Sequence, residues 1–467
     1  MEIYFYKGNE NILAKIKGKA DAENGENQEV ADLKAKTKKI QESFLKVLDN
    51  KNLSFLLGSG CSSYKLDSED YMEIGISVMA PLANEFYSLT DFAEQKEWLK
   101  EDLLIDVAHP NFATNLETFL STLHSLSFYH SKTSELRQKD VIEDDVIEDD
   151  IEEIQFANLS DSDKIEFIIM KARNFLLEKC LNTNNTKTDG GKESIDKPLI
   201  ELYKQFYRKL LSRNSTLPRL NIFTTNYDLY SERAMDLLGI HYVNGFTGGI
   251  SKFFNPAIFN YALAEKMDLS QSKWGVIDNF FYLYKIHGSV NWIEADGENK
   301  LFKVKEIQEP TFEELKDKDS IMIHPTPLKY NASLGSPYSD LFREFQKKLM
   351  QNNNILVTIG YSFSDEHINN LIFQAFTIPS FRLIVIGEPV VKNESEESEY
   401  KNNIQKLLDL NDSRIWIIGE KWPEGETNYT PLYFFKNFVE QILPDLTAED
   451  LDHKMEATIN NLKNLLQ

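Results

Sequence analysis

The chain has 467 residues, more than one average hydrophobic core organises, so two or three structural units are expected. Its apolar content of 42% suffices for a globular fold. The formal net charge of −23 argues against direct binding to nucleic acid or to an anionic membrane, because both require a positively charged protein surface. The two cysteines, Cys61 and Cys180, fit a reducing cytosol and exclude a four-cysteine zinc ribbon.

The first part of the chain predicts an arm, a helix and a buried strand. Met1 to Lys19 mixes charges with aromatic residues, unlike a signal peptide, and no apolar run approaches the roughly 20 residues of a membrane span, so we expect a cytoplasmic protein. A strand or arm is predicted over Met1 to Asn9 and a helix over Leu33 to Leu48. The strand Leu53 to Leu57 then leads into Gly58-Ser59-Gly60-Cys61-Ser62-Ser63.

A long insert with helical periodicity follows, as in Phe112 to Phe128 and Lys164 to Cys180. It is too long for a loop and predicts a helical lobe. Inside it, Val141-Ile142-Glu143-Asp144-Asp145 is repeated immediately as Val146-Ile147-Glu148-Asp149-Asp150. We interpret this duplication as a solvent-exposed acidic segment rather than as a docking site for a basic partner or a metal site.

After the insert, strands and helices alternate, which is typical of a parallel sheet with crossover helices. Two of the helices are predicted over Leu341 to Met350 and Glu366 to Phe376. The candidate strands are Leu220 to Thr224, Phe281 to Ile286, Ser320 to His324, Ile355 to Ile359, Leu383 to Ile386 and Ile415 to Ile418.

Four of these strands end in polar residues, and ligands bind outside the carboxyl ends of parallel strands. One run, Leu220 to Phe223, is followed by Thr224-Thr225-Asn226-Tyr227-Asp228, and another is followed by His287-Gly288-Ser289. The glycine loop after Leu57 and the sequence Gly360-Tyr361-Ser362 after Ile359 complete the set. Small residues at such ends allow backbone amides to approach a pyrophosphate.

The order of these motifs resembles the sirtuin superfamily, whose members bind NAD in a Rossmann-like domain and break its nicotinamide–ribose bond. The variants around Asn226, His287 and Gly360 look like bacterial sirtuin-like NAD hydrolases of antiphage defence. Gly239 to Phe254, Tyr330 to Phe345 and Ile3 to Asn9 are similar to the subgroup that works with a HerA-type hexameric ATPase.

Two sequence differences from sirtuin deacylases argue against an acyl-lysine substrate. The glutamine of the deacylase motif is replaced by Thr225, and the Phe-Arg pair after the glycine loop has no clear match in Tyr64 to Tyr71. The missing zinc ribbon points the same way.

The resemblance implies a set of site residues. Cleavage passes through an oxocarbenium-like state, so the protein must hold the ring and place one water on the opposite face. We predict that Asn226 holds this water, that His287 bonds the ribose hydroxyls and takes a proton, and that Asp228 orients Asn226 or the Thr224 turn. The other NAD-binding candidates are Gly58, Ser59, Gly60, Ser62, Ser63 and Thr224 near the pyrophosphate, and Gly360, Ser362 and Glu388 near the adenosine ribose.

Simpler interpretations remain for several of these residues. Asn226 and Asp228 are favoured helix caps, and capping by Asp228 is as good an interpretation as catalysis. Ser362 and Asp365 form a capping box, so Asp365 to His367 predicts a helix start rather than a metal site. Cys61 is not expected to act as a nucleophile.

The overall expectation is an α/β protein: a Rossmann-like parallel sheet of the sirtuin type with a large helical insertion. It hydrolyses NAD+ without a metal, as a homo-oligomer on a HerA-type ATPase. A deacylase, an ADP-ribosyltransferase and a catalytically quiet NAD-binding scaffold are the alternatives. The predicted divisions are an N-terminal arm and helix (1–45), a first Rossmann part (46–74), the helical lobe (75–215), the Rossmann remainder (216–440) and a C-terminal amphipathic helix (441–467).

Overall fold

The structure is a computed structural model. It describes residues 2–19, 27–65, 73–137, 156–182, 197–266, 274–277, 279–295, 303–316, 318, 320–322, 336–395, 398–422 and 429–445. The acidic duplication 141–150 and most of the predicted C-terminal helix lie outside these residues. The chain divides into two compact units: unit 1 comprises Met1–Ile74, Ile195–Ile286 and Asp340–Gln467, and unit 2 comprises Gly75–Ser194 and His287–Ser339.

A nine-stranded sheet forms the centre of unit 1. Its strands in chain order are β1 (Ile3–Lys7), β2 (Glu10–Asn11), β3 (Asn52–Leu57), β4 (Asn221–Thr224), β5 (His241–Val243), β6 (Phe280–Lys285), β7 (Asn354–Ile359), β8 (Arg382–Ile386) and β9 (Ile415–Glu420). The spatial order is β2-β1-β9-β8-β7-β3-β4-β6-β5. The seven strands from β9 to β5 in this order are parallel, whereas β1 pairs antiparallel with β9 and with β2.

The central strands are mainly apolar, as expected for a sheet buried on both faces. Every residue of β4 and of β7 is buried. The described helices of unit 1 are α1 (Gln28–Leu48), α2 (Lys197–Leu211), α3 (Tyr230–Leu238), α4 (Tyr338–Leu349, whose first two residues are assigned to unit 2), α5 (Glu366–Ala375), α6 (Asn403–Asp409) and the short turn Phe435–Asn437, which continues as a π-helical turn, Phe438–Ile442. This architecture confirms the predicted Rossmann-like α/β fold with helical regions.

Buried Arg213 fixes the chain where it enters β3 and β4. Its guanidinium donates to the carbonyl of Leu48 at 2.7 Å and to those of Asn50 and Pro218 at 2.5 Å each. Burial lowers the pKa of Arg213 to about 10. Because these carbonyls end α1 and precede β4, one side chain sets the starting points of both strands.

Unit 2 contains the helical lobe with its own apolar core. Its longest helices are Leu116–Arg137 and Asp161–Asn182, and shorter helices cover Met79–Tyr87, Ala93–Glu101, Pro110–Ala113 and Phe312–Leu315. Phe86 lies at the centre of the core, with ring contacts to Phe92, Phe119 and Phe175. Buried aromatic side chains of this kind contribute strongly to the stability of such a core.

Two details of the sequence interpretation were wrong. Ser320 was counted among the strands of the parallel sheet, but Ser320–Met322 belongs to unit 2 and pairs antiparallel with the strand Gly288–Glu294. Helix α1 begins at Gln28 rather than Leu33, because the Asn27 side chain accepts a hydrogen bond from the amide of Glu29 and caps the helix there. Among the described helices, none has the length and apolar character needed to cross a membrane.

Candidate functional site

The parallel strands of unit 1 end in register at one edge of the sheet. Leu57 of β3 pairs with Thr224 of β4 and Ile359 of β7, and Thr224 also pairs with Lys285 of β6. The chain proceeds from β3 to β4 on one side and later returns to β7 on the other side, so the strand order reverses between β3 and β7. Ligands of open α/β sheets bind at such a reversal, outside the carboxyl ends of the strands.

The loops that follow β3 and β7 are closed against each other through glycine. The amide of Gly58 donates to the carbonyl of Ile359 at 2.9 Å, and the amide of Gly60 donates to that of Gly360 at 3.0 Å. A Cβ atom on Gly58 would lie 2.4 Å from the Gly360 oxygen, and Gly360 itself has a φ of +62°. The glycines are therefore required for the loops to meet, whether or not a ligand is bound.

This closure limits which groups of the first loop are available to a pyrophosphate. The amides of Cys61 and Ser62 donate to the carbonyls of Gly58 and Ser59, at 2.9 and 3.0 Å, closing a short 3₁₀ turn. Together with the two glycine amides, they are committed within the chain. These four backbone amides are therefore not available to a pyrophosphate, and the side-chain hydroxyl groups of the loop are the remaining candidate donors.

Four serine hydroxyl groups occur on these loops away from the buried core. Ser59, Ser362 and Ser364 are exposed, and Ser63 is half-buried at the start of the short strand Ser63–Lys65. The Ser362 hydroxyl lies 2.9 Å from that of Ser364, so each can still bond a further group. These hydroxyl groups are available as hydrogen-bond donors to a ligand at this edge.

Asn226 is held in one orientation at the edge. Its side-chain Nδ2 donates to the carbonyl of Gly58 at 2.9 Å, and its backbone amide donates to the Thr224 hydroxyl at 3.0 Å. The Thr224 hydroxyl in turn donates to the carbonyl of Leu57 at 3.0 Å. Because a carbonyl can only accept, nitrogen must face Gly58, and the Asn226 side-chain oxygen remains as an acceptor.

Asp228 is bound to the glycine loop and to the start of helix α3. Its carboxylate accepts from the Ser62 hydroxyl at 2.5 Å and from the backbone amide of Tyr230 at 3.1 Å. Helix α3 begins at Tyr230 with Leu229 as its N-cap and without a side-chain cap hydrogen bond, so Asp228 is not the N-cap and instead binds the first helical amide from one residue before the cap. Its contact with Ser62 also ties the β4 turn to the β3 loop, and Ser62 is buried by it.

His287 follows β6 directly and is the first residue of the second segment of unit 2. The preceding amide, that of Ile286, donates to the carbonyl of Thr224 at 2.9 Å. Lys285 pairs with Thr224, so His287 lies two residues past the end of β6, just as Asn226 lies two residues past the end of β4. The His287 side chain is 6% exposed.

The segment after Gly360 is a rigid connection into helix α5. Asp365 is the N-cap and accepts from the amides of His367 and Ile368 at 3.0 and 3.3 Å, as the capping interpretation predicted, although Asp365 and not Ser362 makes the cap. Phe363 has a φ of +58°, and its carbonyl accepts from the Asn369 side chain at 2.8 Å. This strained turn leaves Ser362 exposed.

Glu388, the residue predicted to face the adenosine ribose, makes contacts within the chain. One carboxylate oxygen accepts from the amide of Trp422 at 3.0 Å, and the other accepts from the Tyr433 hydroxyl at 2.9 Å. Each oxygen has a second lone pair, so a ribose hydroxyl can still donate to it. The carboxylate is therefore held in place rather than mobile.

The structure does not favour Cys61 as a nucleophile, as expected. The thiol is fully buried and donates to the carbonyl of Ile359 at 3.4 Å. Burial raises the pKa of Cys61 well above its ordinary value, and the nearby Asp228 carboxylate adds to this effect. The reactive thiolate is thereby disfavoured.

Sequence reasoning missed a buried ion pair beneath the β4 turn. Lys285, 1% exposed, forms a salt bridge with Glu232 at 3.1 Å and donates to the carbonyls of Tyr227, at 3.2 Å, and Asp228. Burial raises the pKa of Glu232, an effect that Lys285 opposes. The available signal was a lysine inside the apolar run Phe280 to Ile286, at a position that a buried strand seldom gives to a cation.

Residues 220–405 match the SIR2-like domain. This match covers β4 to β8 and includes Asn226, His287 and Gly360. A comparison with curated proteins gave no match to this chain. A SIR2-like domain implies use of NAD+ and a sirtuin-like, NAD-related activity, since the family consists generally of NAD-dependent enzymes.

The matched range contains the polar residues that follow β4, β6 and β7. Within the described part of the chain, no three His, Cys, Asp or Glu side chains are grouped as metal ligands. The glycine loop after β3 precedes the matched range, so the edge combines that range with the N-terminal part of unit 1.

Proposed function

We propose that the protein is an NAD+ hydrolase, which cleaves the nicotinamide–ribose bond to give nicotinamide and ADP-ribose. The observation that carries this proposal is the Asn226 amide, which is fixed by Gly58 and Thr224 with an acceptor oxygen at the ligand edge of a SIR2-like domain. A group held in place before the reaction needs no reorganisation during it.

In the proposed reaction, the bond between ribose C1 and nicotinamide breaks and its electron pair leaves with nicotinamide. A water held by the Asn226 oxygen attacks the same carbon, and its proton passes to His287. The strand register supports this pairing of roles, since the two residues occupy equivalent positions past the paired ends of β4 and β6. Ser59, Ser362 and Glu388 would bind the remainder of the dinucleotide.

The first experiment incubates the purified protein with NAD+ alone and separates the products by chromatography. Nicotinamide and ADP-ribose formed without an acceptor support the hydrolase. A requirement for acyl-lysine peptide favours a deacylase, transfer to protein favours an ADP-ribosyltransferase, and NAD+ binding without turnover, both alone and with the HerA-type ATPase, favours a scaffold. Each of these three outcomes contradicts the proposal.

Variants test the site itself. Asn226→Ala and His287→Ala should each abolish NAD+ loss while leaving the fold intact by circular dichroism. The matched control is Asn279→Ala, because the Asn279 side chain also donates to a glycine carbonyl, that of Gly239 at 3.0 Å, but at the amino end of β6. Hydrolysis retained in both site variants would refute the residue assignment.

We also propose that NAD+ depletion serves antiphage defence, with the protein as a homo-oligomer on a HerA-type ATPase ring. Support comes from the resemblance of Gly239 to Phe254, Tyr330 to Phe345 and Ile3 to Asn9 to that subgroup. Sedimentation with and without the ATPase tests the assembly. A monomer in both samples, with turnover unaffected by the ATPase, would contradict it.

A further inference from the structure

Lys285 occupies a position where its charge is costly. Its side chain is 1% exposed in a strand whose other inward residues are apolar. Moving an ammonium group out of water costs several kcal/mol unless hydrogen bonds and a counter-charge compensate. Groups close to Lys285 must therefore compensate the cost of burying its charge.

The contacts of Lys285 provide this compensation. An ammonium group has three donors, and those of Lys285 face three acceptors: a Glu232 carboxylate oxygen at 3.1 Å, the Tyr227 carbonyl at 3.2 Å and the Asp228 carbonyl. The two carbonyls complete the hydrogen bonds of the buried ammonium group, and each of them is held in place by it. These carbonyls belong to the turn that carries Asn226.

We propose that Lys285 is the positioning residue of the site: by holding the carbonyls of Tyr227 and Asp228, it fixes the turn from which Asn226 presents its amide. This inference rests on the proposed NAD+ hydrolysis. Lys285 ends β6, the strand paired with β4, so it joins the two strand ends that carry the proposed water holder and proton acceptor. Glu232, on α3, keeps the ammonium in place from the other side.

Lys209 offers a matched control in the same unit. Its ammonium also holds two backbone carbonyls, those of Val439 at 2.7 Å and Leu443 at 2.9 Å, at the end of α2 that leads toward the amino end of β4. Lys285→Met and Lys209→Met therefore remove the same chemistry from two places. Only the first change affects the turn of Asn226.

The kinetic test compares kcat and KM below the Tm of every variant. Lys285→Met should lower kcat by roughly 10- to 100-fold, because a misplacement of about 1 Å costs up to about 100-fold. KM should change little, since the NAD-binding serines are untouched. Lys209→Met should keep the wild-type kcat.

A double variant separates positioning from stability. Lys285→Met with Glu232→Leu removes both buried charges, so much of the Tm lost in Lys285→Met should return. The kcat should stay low, because nothing then holds the Tyr227 and Asp228 carbonyls. Recovery of kcat together with Tm would overturn the proposal.

Hydrogen exchange provides a readout independent of activity. The amides of Thr225, Asn226 and Tyr230 are bonded to Leu57, Thr224 and Asp228, so a loosened turn should exchange them faster in Lys285→Met and in the double variant, but not in Lys209→Met. Exchange unchanged in all three variants would refute the positioning role. A wild-type protein without NAD+ hydrolysis would refute the proposed function instead, and exchange would still decide the role of Lys285.

Discussion

Alanine substitution at four glycines can separate the contact between the two glycine loops from ordinary backbone effects. Gly58 has a φ of −99°, which alanine accepts, but its Cβ would meet the Gly360 oxygen at 2.4 Å and the Tyr361 Cα at 2.7 Å. Gly239 has a φ of +64° with open space around it, and Gly249 has open space and no such φ. Gly360 combines a φ of +62° with contacts of 2.8 Å to the β3 loop.

These environments give different expected losses. Relief at Gly58 requires the loops to separate, which costs about 1–3 kcal/mol of overpacking and about 1 kcal/mol for each hydrogen bond that is broken. We therefore expect Gly58→Ala to lose about 2–5 kcal/mol and Gly360→Ala at least as much. Gly239→Ala should lose about 1–2 kcal/mol from its backbone conformation alone, and Gly249→Ala less than about 0.5 kcal/mol.

Urea unfolding followed by circular dichroism measures these differences, with thermal unfolding as a second readout. At about 2–4 °C per kcal/mol, Gly58→Ala should lower the Tm by roughly 4–20 °C. The decisive comparison is Gly58→Ala with Gly249→Ala. If the two variants unfold at the same urea concentration, Gly58 and Gly360 are not in close contact in the native protein.

Two further predictions concern buried ionisable groups. Cys61 should resist alkylation at pH 8 in the native protein and react only after unfolding, while Cys61→Ala should keep NAD+ hydrolysis; rapid native labelling or lost turnover would contradict its structural role. Burial raises the pKa of a set of tyrosines: Tyr4, Tyr87, Tyr203, Tyr207, Tyr284, Tyr338 and Tyr433. Above a pH of about 10 these tyrosines ionise in the unfolded state, which then binds fewer protons than the native state. Their contribution to the free energy of unfolding, which is fully present at lower pH, should therefore decrease as the pH rises. Urea midpoints measured from pH 8 to 11 should fall accordingly, and constant midpoints would contradict this prediction.

The sheet could be predicted because its central strands are buried on both faces. Ile355 to Ile359 and Leu220 to Thr224 are mainly apolar runs, and the observed strands differ from each of them by one residue. The polar ends of these strands also predicted the edge that carries Asn226. Ser320 was misassigned because a short run contains no information on which strand it pairs with.

The details of the site required tertiary contacts that no local pattern contains. The role of Lys285 depends on Glu232 and on carbonyls contributed by a different strand end. The fixed position of the Glu388 carboxylate depends on hydrogen bonds from Trp422 and Tyr433, which follow it by more than thirty residues. Spacing along the chain could identify these residue types but not their partners.

The closure between the two glycine loops has a consequence for how the protein is made. The Cys61 thiol and the Ile359 carbonyl are 298 positions apart in the chain. Contacts across such distances form late in folding, since loop closure must precede them. During synthesis, the first loop has to wait until β7 has left the ribosome. A nascent or proteolysed chain that ends before Gly360 should therefore lack the proposed NAD+ hydrolysis.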